Sequence, residues 1–321
     1  MAPLLASEIK VIMRIVFMGT PEAAVPSLRR LVDDGHEVVA VWTQPDKPAG
    51  RGNKVHTPPV KMAAELLGLK VRQPSKIKTE EAKTLFTSHN AEVAIVVAYG
   101  RILPIEFLIA PKRGCINVHF SLLPRYRGAA PVNWAIVNGA EKSGVTTMLI
   151  EEELDSGPIL LQKENAIGKA ETAPELMLRL AEMGADLLGE TVKKLDEITP
   201  RAQRSEEATF APILKRGDGL IDWSTVAVEI ERRVRGFQPW PNAYTHDRSH
   251  RLIIWRAEPT ISEDSRAQAG EIIAADGDEL VVQCGSQTSL RLVELQPEAK
   301  RRMSVRDFLN GTHHKPGDRF E

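Results

Sequence analysis

The sequence predicts an α/β protein, with a Rossmann-like, mostly parallel sheet domain followed by a small β-barrel domain. Strand and helix patterns alternate through the first 200 residues. A polar stretch with Pro200, Pro212, Gly217 and Gly219 interrupts them. Beyond it come several short strand patterns at the close spacing of a small barrel. At 321 residues the chain is long enough for both domains.

Residues 14–19 form the first β-rich run. Thr20 and Pro21 then offer an N-cap and an N1 proline for a helix ending at Gly35. Residues 37–43 and 69–72 read as strands with a helix near 60–67 between them. Residues 79–90 read as a helix, and 92–98 as a buried strand of β-branched residues. A short apolar strand follows at 115–118. Two more strands, 145–151 and 158–166, are antiparallel candidates flanking a turn at Asp155, and 172–197 is a long amphipathic helix. The turn after the first strand is Gly19-Thr-Pro-Glu-Ala-Ala, not Gly-x-Gly-x-x-Gly, which argues against NAD.

The expected division is an extension at 1–12, a domain at 13–200, a linker at 201–218 and a second domain at 219–321. The extension lacks the basic start and long apolar run of a signal peptide. In the second domain a helix at 224–235 precedes strands near 243–246, 252–257, 270–274, 279–283 and 289–296, then a helix at 304–309. Periodicity alone does not choose among small barrels. No segment approaches a membrane span. Cys115 and Cys284 have neither metal nor redox spacing, which argues for a reducing cytoplasm. Cys115 lies in an apolar strand and reads as an inert buried thiol. A net charge of −1 excludes a global basic field but leaves room for a local basic patch.

The densest chemistry lies in Cys115-Ile-Asn-Val-His-Phe-Ser-Leu-Leu-Pro-Arg-Tyr-Arg-Gly128, read with Leu154-Asp155-Ser-Gly157. Strand alternation puts Asn117 and His119 on one face, at the end where parallel sheets build their sites. With Asp155 they supply an amide donor, an imidazole and an acid, a set suited to transfer through an oxyanion. Singly, each has an ordinary reading as a cap, a core residue or a turn residue. Jointly they are far more specific. The 44–59 segment shows no clear secondary structure and carries Lys47, Arg51 and Lys54 against only Asp46. Two further basic clusters are Lys215-Arg216 and Lys300-Arg301-Arg302, and a short charge run is usually just a solvated face. Trp240, between Pro239 and Pro241, reads as a structural anchor before a stacking residue.

Asn117-x-His119-x-Ser-Leu-Leu-Pro124 followed by Leu154-Asp155-x-Gly157 resembles the signature of folate-dependent formyltransferases. The likeness extends over nearly the whole chain. It includes Arg14-Ile-Val-Phe-Met-Gly-Thr-Pro21, Gln44-Pro-Asp-Lys-Pro-Ala-Gly-Arg-Gly52, Gly219-Leu-Ile-Asp-Trp223 and Gly236-Phe-Gln-Pro-Trp-Pro241. It is strongest to the branch that formylates methionyl-tRNA. Departures are Phe120, Ser156 and Asn242, none of which removes a chemical group. The resemblance implies an OB-like barrel and formyl transfer from 10-formyltetrahydrofolate, without a metal, to the α-amino group of initiator Met-tRNA. It implies Asn117, His119 and Asp155 as the catalytic group. Ser121, Leu122, Leu123, Pro124, Gly100, Ile102 and Leu103 would wall the folate. Lys47, Arg51 and Lys54 would enter the tRNA acceptor end, with Lys215, Arg216, Lys300, Arg301 and Arg302 extending the footprint. It also implies a cytoplasmic monomer. One alternative keeps the chemistry and changes the acceptor to an amino sugar nucleotide, with 131–139 compatible and the basic loop against it. Another is a catalytically dead RNA-binding protein, against which the intact Asn117, His119 and Asp155 weigh.

Overall fold

The computed structural model describes residues 12–49, 54–261 and 266–321. The chain folds into two compact units. The first contains residues up to 127 with Gly144–Glu164 and Leu178–Thr209. The second contains Gly128–Ser143, Asn165–Met177 and Phe210–Glu321. The chain therefore passes between the units several times.

The first unit is built on a seven-stranded sheet. Its strands are β1 (Arg14–Gly19), β2 (Glu37–Trp42), β5 (Val71–Arg72), β6 (Val93–Val97), β7 (Cys115–His119), β8 (Lys142–Leu149) and β9 (Ile159–Ala166). Their order is β5-β2-β1-β6-β7-β8-β9. The pairs from β5 through β7 are parallel, and β8 runs antiparallel to β7. The sheet is thus Rossmann-like and mostly parallel, as its alternating pattern predicts. Winding reverses between β1 and β6, so a crevice opens beyond their C-terminal ends. β6 is apolar throughout, and β1 and β2 are apolar beyond their first residue, because helices flank the sheet. These include α1 (Val25–Asp33), α3 (Glu80–Ser88), α4 (Ile105–Ile109) and α6 (Ala173–Lys193). Trp42, Phe86 and Phe107 pack edge-on and stacked beneath β2 and β6.

Two details here differ from the sequence reading. Thr20 does not cap a helix. Its hydroxyl donates to the Tyr99 carbonyl at 3.0 Å, so a 3₁₀ turn at Glu22–Ala24 precedes α1. The 44–59 segment contains a two-stranded ribbon, β3 (Lys47–Ala49) and β4 (Lys54–His56), before α2 (Pro59–Leu66). Its strands pair only with each other, so neither shows the burial periodicity by which strands are read. Residues 1–11 of the predicted extension and Arg51 lie outside the described residues.

In the second unit β10 (Ala243–Asp247), β11 (His250–Ile261), β14 (Thr288–Pro297), β13 (Glu279–Gln283) and β12 (Ile272–Asp276) form an antiparallel sheet in that order, with β15 (Met303–Ser304) on β14. Residues 317–321 join its edges. Phe320 N donates to Gly270 O and Ile272 N to Asp318 O on the β12 side, while Glu321 and His246 exchange backbone hydrogen bonds on the β10 side. Every edge is paired and the sheet closes into a small barrel. Its core includes Trp223, Ile254, Leu292, Phe308 and Phe320. The helix α7 (Ala227–Gly236) packs on α5 (Pro131–Val137), which periodicity did not reveal. Asn133 donates to the Gly236 carbonyl at 2.7 Å and Trp134 meets Phe237 edge-on. The helix α8 (Val305–Gly311) starts at Ser304, whose hydroxyl accepts from Asp307 N.

Candidate active site

The site begins where β7 ends. Asn117 pairs in register with Val96 of β6 and Met148 of β8, and His119 with Thr146. The imidazole of His119 is only 6% exposed. Its Nε2 lies 2.9 Å from the Tyr126 carbonyl, which can only accept, so Nε2 donates. Its Nδ1 lies 3.6 Å from Asp155 Oδ2, close enough for charge attraction but beyond a direct hydrogen bond. Asn117 is partly exposed, and its side-chain amide has no protein partner among the described residues. The structure therefore brings His119 and Asp155 together and leaves an unspent amide two residues away on the same strand face.

Phe120 does not crowd His119. It turns to the opposite face, where the missing side chain of Gly184 in α6 makes room for Val118 and Phe120.

The backbone around this group is held in unfavourable conformations. Ala98 at the end of β6, Tyr126 and Asp155 are non-glycine residues with φ of 46°, 61° and 51°. Each costs on the order of 1–3 kcal/mol and persists only when its surroundings impose it. Around Tyr126 the imposition is visible, since its amide donates to Thr209 Oγ1 and the Arg127 amide donates to Thr209 O. After Asp155 the chain turns so tightly that a Cβ on Gly157 would lie 2.0 Å from the Leu149 carbonyl oxygen. Only glycine fits there.

Gln203, in the segment expected to be a linker, meets this turn. Its Nε2 donates to the carbonyls of Asp155 (2.9 Å) and Gly157 (2.8 Å). Its Oε1 accepts from Nε and Nη2 of the buried Arg127 at 3.0 and 2.8 Å. A lone glutamine in a polar stretch gives no periodic or motif signal. At the β1–β6 crevice Gln44 ties the Tyr99 and Gly100 carbonyls together. Asp46 is held below the usual carboxylate range by hydrogen bonds from Lys61 and Gln73, which anchors the base of the β3–β4 ribbon.

The expected folate wall divides. Ser121 and Leu123 are interior: Ser121 donates to the Arg125 carbonyl at 2.6 Å, and Leu123 packs with Met148 and Ile159. Leu122 and Pro124 are partly exposed. Gly100, in a left-handed conformation, and Ile102, 75% exposed, reach the surface after β6, while Leu103 packs on the core. Burial pushes the Cys115 thiol up to about 12, consistent with an inert thiol.

Among the basic residues, Lys47 is exposed at the ribbon base, and Lys54 pairs through its backbone with Ala49. Within the second unit Lys215 and Arg216 are exposed, and Arg216 lies near enough to Arg251 to depress its guanidinium further, after burial. Lys300 and Arg301 are exposed, but Arg302 is spent on an ion pair with Glu294 and a stack on Trp255. Trp240 is 53% exposed, not an anchor, because the neighbouring Pro241 and Asn242 fill the interior instead.

An amide donor, a histidine–aspartate pair and imposed backbone at the end of parallel strands suit group transfer on an α/β scaffold. The formyl transferase model matches residues 13–192, and the formyl transferase C-terminal domain model matches 213–313. The chain belongs to the formyl transferase family. It is 48% identical over 311 residues to the methionyl-tRNA formyltransferase of Caldanaerobacter subterraneus, covering 95% of this chain and 98% of that one. It is 46% identical over 307 residues to the methionyl-tRNA formyltransferase of Citrifermentans bemidjiense, covering 95% of each. Its fold resembles an N-formyltransferase from Helicobacter canadensis in complex with folinic acid and dTDP-3-aminofucose. That match has a TM-score of 0.64 and 17% identity, over 89% of this chain and 100% of that one. It also resembles HypX from Aquifex aeolicus in complex with tetrahydrofolic acid, with TM-score 0.61 and 15% identity over 93% of this chain and 47% of that one.

Proposed function

We propose that this protein transfers the formyl group of 10-formyltetrahydrofolate to the α-amino group of methionine on initiator Met-tRNA. The observation that carries this reading is near-half identity along almost the full length of relatives so named. The intact Asn117, His119 and Asp155 support it. Among the described residues, no helix is long and apolar enough to cross a membrane. We place the reaction in the cytoplasm and the protein as a monomer. We also infer a functional division into 13–200 for chemistry and 219–321 for tRNA, joined by 201–218.

Attack of the amine on the formyl carbon places negative charge on the former carbonyl oxygen. The amide of Asn117 is free to donate to that oxygen. His119 would exchange the Tyr126 carbonyl for it, with Asp155 balancing the imidazolium. As the carbon–nitrogen bond to the folate breaks, the proton leaving the amine passes to the folate nitrogen through this group and water. We assign the exposed or partly exposed Gly100, Ile102, Leu122 and Pro124 to the flat co-substrate, with Leu103, Ser121 and Leu123 as interior support. For the tRNA, Lys47, Arg51 and Lys54 of the 44–59 segment would meet phosphates, with Lys215, Arg216, Lys300, Arg301 and Arg302 of the second unit.

The test is formyl transfer from 10-formyltetrahydrofolate offered in parallel to Met-tRNA and to an amino sugar nucleotide. Transfer to Met-tRNA alone is expected. Transfer to the sugar alone would overturn the acceptor, and transfer to neither with RNA still bound would favour a dead enzyme.

A further inference from the structure

We propose that Gln203 is a positioning residue for formyl transfer, locking the Asp155 turn so that its carboxylate faces His119. This rests on the catalytic reading of Asp155. The turn needs a lock: Asp155 sits at φ 51°, and its carboxylate is already 3.6 Å from Nδ1, so slight relaxation would lose the contact. Gln203 supplies the lock from outside the turn. One amide hydrogen bonds to the carbonyl of the left-handed residue itself, and the other to the carbonyl of Gly157 two residues on.

The side chain cannot flip. Arg127 offers two donors to its oxygen and has no use for an NH₂ group, while the two carbonyls accept only from nitrogen. The buried guanidinium of Arg127 therefore orients Gln203, and Gln203 orients the turn. All four contacts lie within the first unit. Their geometry separates residue types. Alanine removes every contact. Glutamate keeps the length and the pairing with Arg127 but turns an acceptor oxygen on both carbonyls, so it repels the turn instead of holding it. Asparagine is one methylene too short to span from Arg127 to both carbonyls.

Misplacement of a reacting group by about 1 Å can cost on the order of 10²-fold. Gln203→Ala and Gln203→Glu are each expected to lower kcat by about 10- to 100-fold, with KM for both substrates nearly unchanged. The decisive readout is a double-mutant cycle in full-length protein. If Gln203 acts through Asp155, adding Gln203→Ala to Asp155→Ala causes no further loss of kcat, whereas a merely structural role lowers it equally in both backgrounds. Equal losses in the two backgrounds overturn the proposal. So does wild-type kcat in both Gln203→Ala and Gln203→Glu. Wild-type kcat in Gln203→Ala beside an inactive Asp155→Ala removes only this inference. Wild-type kcat in Asp155→Ala removes the reading of the site with it.

Discussion

Among the described residues two histidine side chains are buried against carboxylates, and their surroundings differ. In the first unit His119 faces Asp155 and the Tyr126 carbonyl. In the second His314, 3% exposed, lies 3.1 Å from Asp247 Oδ2 and 3.6 Å from Asp318 Oδ2. Burial scarcely distinguishes them, and by distance His314 has the tighter pair, a direct hydrogen bond to Asp247. The surroundings separate them. His314 is stacked on Phe308 and meets Phe320 edge-on, and neither of its aspartates has left-handed backbone. Asp318 belongs to the segment that closes the barrel, so this group works as a clasp. At His119 the carboxylate arrives on a left-handed residue and a neighbouring amide is unspent. A buried His–Asp pair is therefore weak evidence of catalysis, while imposed strain beside an open donor is stronger.

The contrast breaks most sharply under alanine. His119→Ala should cut formyl transfer by about 10²–10⁴-fold with a modest change in melting temperature. His314→Ala should leave turnover per folded molecule within a few-fold but lower stability by roughly 1–3 kcal/mol, read by denaturant titration. A large turnover loss in His314→Ala with unchanged stability would erase the distinction. Asn117→Ala removes the open donor, and about 10²–10³ in kcat should go with it. A smaller effect is expected in the 44–59 segment, where Arg51→Ala/Lys54→Ala should raise KM for Met-tRNA and flatten its dependence on salt by about one unit of slope per lost phosphate contact. The free amine reaction should be untouched. Smallest of all, burial pushes the thiols of Cys115 and Cys284 up to about 12. With so little thiolate at pH 8, mass spectrometry should find both unalkylated by iodoacetamide until pH nears that value or the chain unfolds.

The alternation of the parallel strands from β1 to β7 was legible because buried parallel strands are continuous apolar runs, and Asn117, His119 and Asp155 stood out because the first two end such a strand and all three fall in a recognisable signature. The ribbon at 47–56 was not, since strands that bury nothing leave no period. Helix α5 was missed because only seven residues, opened by Pro131, carry it. Gln203 could not be found at all. Its role depends on contacts with residues 46 to 76 positions away, and nothing in Arg201-Ala-Gln-Arg204 announces them.

The pairing of α5 with α7 bears on how such proteins could be recombined. Residues 128–143 precede the barrel by some eighty positions, yet they pack with it, and Gly236 has no Cβ where Val137 approaches. A graft of residues 219–321 onto another core would carry α7 with its α5-facing side bare. The transplantable module is discontinuous, and an exchange that honours only the polar stretch after residue 200 would leave half of a helix pair behind.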